Sequence, residues 1–135
     1  MSEQPEVSQH FDIQKVYLKD VSLETPNSPA IFTEQWQPQS EVCLETGATP
    51  LTQELFEVVL TVTVTAKLGD RTAYLAEVQQ AGLFTLRGFD DPQMGHMLHA
   101  FCPNILFPFA REELASLIGK GGFPALLLNP INFDA

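Results

Sequence analysis

Between Cys102 and Arg111 the chain reads Cys-Pro-Asn-Ile-Leu-Phe-Pro-Phe-Ala-Arg, ten mostly apolar residues broken by two prolines. An interior proline removes a backbone donor and its ring clashes with the preceding turn, so an ordinary amphipathic helix does not tolerate this pattern. The stretch must hold a specific kinked shape. Upstream, Asp91-Pro92 is a helix-start signature, with Asp91 expected as N-cap and Pro92 at the first helical position. A helix is predicted from there to about Phe101, meeting Pro103. A second helical stretch is predicted over Phe109 to Ile118, stopped by Gly119, Gly121 and Gly122. The pattern fits one kinked helix or two short ones.

Strands are predicted before these helices. Phe11 to Leu23 has an apolar alternation whose phase shifts: Phe11 and Ile13 are odd, Val16 and Leu18 even, Val21 and Leu23 odd again. A long strand with bulges explains this, because each extra residue flips the facing. Glu24 to Gln37, with Pro26, Asn27, Ser28 and Pro29, reads as a loop that carries the large apolar residues Ile31, Phe32 and Trp36. Ser40 to Glu45 alternates as a half-buried strand, and Gly47 to Pro50 is predicted to turn. Leu55 to Leu68 is the clearest strand, with Phe56, Val58, Leu60, Val62 and Val64 on one face. After a turn at Gly69-Asp70, Thr72 to Leu86 reads as a fourth strand, interrupted near Ala81-Gly82. Phe123 to Phe133 is an extended, leucine-rich segment containing Pro124 and Pro130. Strands joined by short turns favour an antiparallel meander. Strands followed by helices give an α+β fold, here a four-stranded antiparallel sheet with the helical part packed on one face. Residues 1–10 are expected to form a flexible N-terminus and 11–135 a single domain.

The charge narrows the function. Seventeen acids and seven bases give a net charge of −10, which argues against nucleic acid, whose phosphates require Lys and Arg. From Asp20 to Ala66 there is no Lys or Arg, but seven acids occur: Asp20, Glu24, Glu34, Glu41, Glu45, Glu54 and Glu57. This fits either a surface that simply keeps the protein soluble or an acidic face that steers a basic partner. The polar, acidic start shows no export signal and there is no membrane-length apolar run, so a cytoplasmic location is expected. Two cysteines, Cys43 and Cys102, are then expected as free thiols.

No constellation strongly suggests catalysis. His96, His99 and Cys102 fall at i, i+3, i+6 and are reasonable zinc ligand types, but six residues of helix turn the outer two about 120° apart. Two helix histidines and a buried thiol is the simpler reading. Cys102 with His99 could do thiol chemistry, yet no oxyanion hole or orienting acid is evident. Gly119 to Gly122 is a helix stop rather than a phosphate loop. The protein is expected not to be an enzyme and to need no metal or cofactor. The better lead is apolar: Phe32, Trp36, Val42, Leu44, Phe107, Phe109, Leu126, Leu128 and Phe133. Part of this set is core, but loop aromatics together with an extended apolar segment can line an open groove. The fourth strand also splits by parity, with Tyr74, Ala76, Val78 and Gln80 on one face and Leu75, Glu77 and Gln79 on the other.

The proline-broken stretch, Gln93-Met94-Gly95-His96 before it and Asn129-Pro130-Ile131-Asn132-Phe133-Asp134-Ala135 after it closely resemble the SecB family of bacterial protein-export chaperones. Glu57 to Ala66 and Glu77-Val78-Gln79-Gln80-Ala81-Gly82 fit as well, so the resemblance covers about Phe11 to Ala135. It implies an ATP-independent chaperone that holds unfolded precursor proteins in a groove between the loop, the second strand and the helix. It implies delivery to the export ATPase SecA through Asp20, Glu24, Leu75 and Glu77 on the exposed sheet. It places Ala76, Val78 and Gln80 where subunits pair, in a homotetramer built as a dimer of dimers. It also implies a second helix and an acidic tail after the position of Ala135, where this sequence stops. Two other readings stay open: a SecB-like chaperone dedicated to one partner such as an antitoxin, and a thiol- or metal-dependent enzyme using His99 and Cys102.

Overall fold

A computed structural model describes residues 8–134. The chain forms β1 (His10–Glu24), β2 (Gln39–Pro50), β3 (Leu55–Leu68) and β4 (Arg71–Arg87), then a helical run of α1 (Asp91–His96), a π-turn (Met97–Phe101) and α2 (Cys102–Lys120). Of the ten residues expected to form a flexible start, 1–7 lie outside the described residues and His10 opens β1.

The four strands form one antiparallel sheet in the order β1-β4-β3-β2. The expected meander therefore holds for β2, β3 and β4, but β1 pairs with β4 on the far edge. The loop of residues 25–38 permits this, being long enough to cross the end of the sheet. It is pinned there by Asn27, whose side chain donates to the Thr72 carbonyl at 2.9 Å, and by Ile31, which is buried. The β3–β4 hairpin turns on Gly69-Asp70, where Gly69 takes φ +61° and Asp70 keeps a negative φ. Glycine at the first central position of a two-residue hairpin loop suits a type II′ turn.

Phase explains the layering. Pairing between β1 and β4 shifts register between Ile13 and Lys15 and again between Leu18 and Asp20. The two shifts bring Phe11, Ile13, Val16, Leu18, Val21 and Leu23 opposite Leu86, Phe84, Gly82, Gln80, Val78 and Ala76 respectively, so all six apolar residues share one face. That inner face continues through Val58, Leu60, Val62, Val64 and Ala66, each with no exposed surface. α2 packs over it with Leu106, Ala110, Leu114 and Ile118 buried. At the second shift Gln80, itself buried, donates from its amide to the Tyr17 carbonyl at 3.0 Å.

Three expectations are corrected. β2 runs through Gly47 to Pro50, and the turn falls on residues 51–54 instead. Pro50 is tolerated because β2 is an edge strand, while Thr52 Oγ1 accepts from the Glu54 and Leu55 amides to close the real turn. β4 is not interrupted at Ala81-Gly82; its pairing with β3 passes through both residues without a shift. The helix cap is Asp90, one residue earlier than expected: its carboxylate accepts from the Gln93 amide at 2.8 Å, and Gln93 Oε1 accepts from the Asp90 amide at 3.2 Å. Of the two helical arrangements left open, the structure has one continuous run, which Pro103 and Pro108 do not divide into separate helices. The residues joining α1, the π-turn and α2 all keep right-handed helical dihedrals, and the π-turn ends at Phe101, two residues before Pro103. Such a wider turn is one way to absorb a disruption of the i to i−4 ladder. At the far end Gly122, at φ +90°, closes the helix.

Gly82 sets how closely the helix seats. A Cβ there would stand 2.7 Å from the Phe84 ring and 3.2 Å from Leu106 of α2, both completely buried. Neither can yield, so Gly82→Ala is expected to destabilise the fold by about 1–3 kcal/mol as overpacking does. Urea denaturation should show a lower midpoint with an unchanged slope.

Candidate functional site

The sheet presents two faces of opposite character. On the open face, pairing places Glu24, Leu75, Thr65 and Glu41 in one cross-strand row, Ser22, Glu77, Thr63 and Cys43 in the next, and Asp20, Gln79, Thr61 and Glu45 in a third. With strands about 4.8 Å apart, each row spans roughly 14 Å. Five carboxylates therefore share one half of this face: Asp20, Glu24, Glu41, Glu45 and Glu77. Thr63 donates to Glu77 at 2.9 Å. The four residues the resemblance assigns to partner contact, Asp20, Glu24, Leu75 and Glu77, all lie on this face. The second register shift in β1 is what brings the first two there.

The other half of the open face is charge-compensated. Glu57 accepts from Lys19 at 2.7 Å and from the Tyr17 hydroxyl. These bonds, Lys19 first and Tyr17 second, hold the Glu57 carboxyl below its usual range. Burial, reinforced by the Glu57 hydrogen bond and charge, pushes the Tyr17 hydroxyl up to about 12. This cluster has no counterpart in the sequence reading, because its members come together through strand pairing and a bulge.

The inner face is covered unevenly. α2 packs on β4, β3 and, less extensively, β1, while β2 is met by the π-turn instead. On β2, Val42 is 40% exposed and Leu44 half-buried. Beside them at the sheet end stands an aromatic cluster. Phe123, buried, packs against Phe32, Trp36 and Tyr74 with ring centroids 5.1–5.4 Å apart, and Phe32 remains 48% exposed. From Phe123 the chain runs back along the helical part. Leu126, Leu128, Ile131 and Phe133 pack half-buried on the core; Phe133 meets Phe107 edge-on, and Asp134 pairs with His96 of α1.

The nine groove residues read from the sequence are thus only partly brought together. Phe32, Trp36, Val42, Leu44, Leu126, Leu128 and Phe133 each retain exposed surface. Phe107 is core, 4% exposed beneath Phe133 with the Arg111 guanidinium over its ring. Phe109, two residues on, is about 200° away around the helix and 48% exposed, so it does not join Phe107. Phe123 is the member that sequence reading missed; its place after Gly121-Gly122 at a helix stop was the available signal. Ala76, Val78 and Gln80 lie on the inner face, buried within the chain rather than on its surface. A cleft of about 350 Å³ lined by Gln9, Phe89, Pro92, Gln93, His96 and Met97 lies at the helix start and includes none of the groove residues.

The thiol reading loses its geometry. Cys102 belongs to the core and burial pushes its thiol up to about 12, whereas His99 is exposed. His96 is engaged by Asp134. Among the described residues no group of three or more metal-ligating side chains converges, and no helix is long and apolar enough to cross a membrane.

An apolar side left half-covered, backed by a carboxylate-rich sheet face, suits the binding of other polypeptide chains. The family model described as preprotein translocase subunit SecB matches residues 4–135. The protein-export protein SecB of Methylococcus capsulatus is 56% identical over 134 residues, spanning 99% of this chain and 85% of that protein. The chain belongs to the SecB family. Its fold is also that of a solved Mycobacterium tuberculosis SecB-like chaperone, in complex there with a ChAD peptide from the HigA1 antitoxin, at TM-score 0.71, 20% identity and 90% coverage of both chains.

Two outcomes check the site chemistry. Cys43 is exposed and Cys102 buried, so Ellman's reagent at mildly alkaline pH should titrate one thiol rapidly in the native protein and the second only after denaturation. Because the Glu57 carboxyl is held low in the folded state, its contribution is present above the ordinary glutamate range and is lost as pH falls through and below it. The difference in urea midpoint between the parent and Glu57→Gln should therefore narrow between about pH 7 and about pH 3.

Proposed function

We propose that this protein is an ATP-independent cytoplasmic export chaperone that holds unfolded precursor chains on the half-covered apolar side and passes them to the SecA ATPase through the open sheet face. Membership of the SecB family supports the chaperone class, and the observation that carries the division of labour is the opposite character of the two sheet faces. Exposed or half-buried aromatic and aliphatic side chains at Phe32, Trp36, Val42 and Leu44, beside the segment that carries Leu126, Leu128 and Phe133, bind by non-directional burial. Each large client side chain buried there contributes roughly 1.5–3 kcal/mol, which gives affinity without sequence specificity. On the other face, Glu24 lies opposite Leu75, with Glu77 and Asp20 in the next two rows, and the group suits a basic partner segment with one apolar contact. No covalent step is needed, because binding the unfolded chain competes with its folding.

Assembly follows from what a single chain leaves uncovered. Both sheet edges, β1 and β2, are long, and Phe101 and Phe109 are exposed on the helical part. We assign these surfaces to a homotetramer built as a dimer of dimers. Ala76, Val78 and Gln80 then act on assembly indirectly, by seating the helix beneath which they are buried.

Diluting a denatured, slow-folding precursor into near-stoichiometric protein without ATP should arrest or markedly slow its refolding; unimpeded refolding overturns the holdase reading. The double substitution Asp20→Lys, Glu77→Lys should weaken binding to SecA by about tenfold or more, as loss of paired interface charges does, while leaving refolding arrest unchanged. Equal loss of both activities would show that the two faces are not separate sites.

A further inference from the structure

Resting on the groove reading above, we propose that residues 125–134 are a displaceable strap: in the empty protein they lie on part of the apolar strip that receives clients, and an incoming unfolded segment takes their place.

The strap is attached in an unusual way. Among the described residues, no backbone hydrogen bond joins 124–134 to the body, the last such bond being from the Phe123 amide to the Ile118 carbonyl at 3.3 Å. Its attachment consists of side chains: Leu126, Leu128, Ile131 and Phe133 on the core, the edge-on contact of Phe133 with Phe107, and the ion pair of Asp134 with His96. Both partners of that pair are more than half exposed, so water competes for it. Two prolines keep the segment from zipping onto a strand edge. Pro124 and Pro130 lack the amide hydrogen that a sheet ladder requires. β2 is an edge strand of the sheet, and no backbone hydrogen bond joins residues 124–134 to it.

The strap also has the character of what the strip would bind. It is extended, carries one charge in residues 125–134, and directs apolar side chains inward at 126, 128, 131 and 133. An unfolded client offers the same chemistry in segments of alternating apolar residues. A strip covered by such a segment is shielded from self-association, and release requires exchange of like for like. When only a fraction of molecules has the strip open, the apparent affinity for a client is lowered by that fraction.

The test replaces His96 and Asp134 by cysteine in a chain carrying Cys43→Ser, leaving Cys102 buried, and joins the new thiols with a short cross-linker containing a reducible disulfide. The same molecules are then compared before and after reduction. The proposal expects the cross-linked chain to bind an unfolded, permanently reduced client about tenfold or more weakly than after reduction, since the open fraction falls. It also expects the reduced chain to bind an apolar fluorescent dye more strongly. A second chain, Ile131→Ser with Phe133→Ser, should bind the same client several-fold more tightly than the parent. Equal client binding and equal dye binding with the linker intact or cleaved overturns the strap. Weaker client binding by the serine chain also overturns it, because the segment would then be a wall of the groove rather than its occupant. Should the parent fail to bind any client, the groove reading fails, while the dye comparison still decides whether the segment covers an apolar strip.

Discussion

The structure depends on keeping four strands in phase. Side chains alternate with a period of two, so a single inserted residue turns the rest of a strand over. β1 uses two such insertions. Without the first, Val16 and Leu18 would face outward; without the second, Val21 and Leu23 would, and Asp20 and Glu24 would be driven into the core. One device therefore serves both faces: it completes the apolar floor under α2 and assembles the carboxylates on the open side. Gln80 reinforces it from below, since its amide binds the Tyr17 carbonyl between the two shifts. A polar side chain buried at 5% exposure is thereby satisfied, and it ties the inner face to the strand whose phase decides the outer one.

The second constraint is the seat of the helix. Leu106 approaches the sheet where Gly82 has no side chain, and the neighbouring Phe84 ring fills the space a Cβ would occupy. Cys102 and Pro103 are buried nearby, so the helix must pass a proline while pressed against the sheet. The π-turn at Met97–Phe101 accommodates this on the N-terminal side of Pro103. It also turns Phe101 toward β1, where its ring meets Phe11 edge-on at 5.1 Å. The apolar, proline-broken stretch is therefore not a break in the helix but the part that lies closest to the floor.

Much of this was legible in the sequence where one local rule acts alone. The odd–even–odd alternation of β1 announced both bulges, the parity of β3 and β4 identified the floor, and Gly121-Gly122 marked the helix end. The misreadings arise where tertiary context overrides the local signal. Gly47 and Pro50 look like a turn, but an edge strand tolerates a residue without an amide hydrogen. Gly82 looks like an interruption, but it is a small residue required by the helix above. Phe107 and Phe109 look like a pair, yet the helix sends them to opposite sides. The order of β1 in the sheet was not readable, since a long loop permits either edge, and neither was the Tyr17–Glu57–Lys19 cluster, whose members meet only through pairing.

The way each surface is fastened separates two kinds of binding. The open face is held by continuous backbone ladders on β4 and β3, so its carboxylates and threonines keep fixed spacings across and along the sheet. A surface of that kind discriminates by position and charge, and it favours a partner of defined sequence. The opposite side is bordered by a loop and an extended segment that meet the body mainly through aromatic and aliphatic side chains. Contacts of that kind have no strict direction and tolerate substitution of one apolar group by another. On the proposed division of faces, a single small sheet would distinguish one partner while accepting many clients, with selectivity built on its rigid face and tolerance on its loosely bordered one.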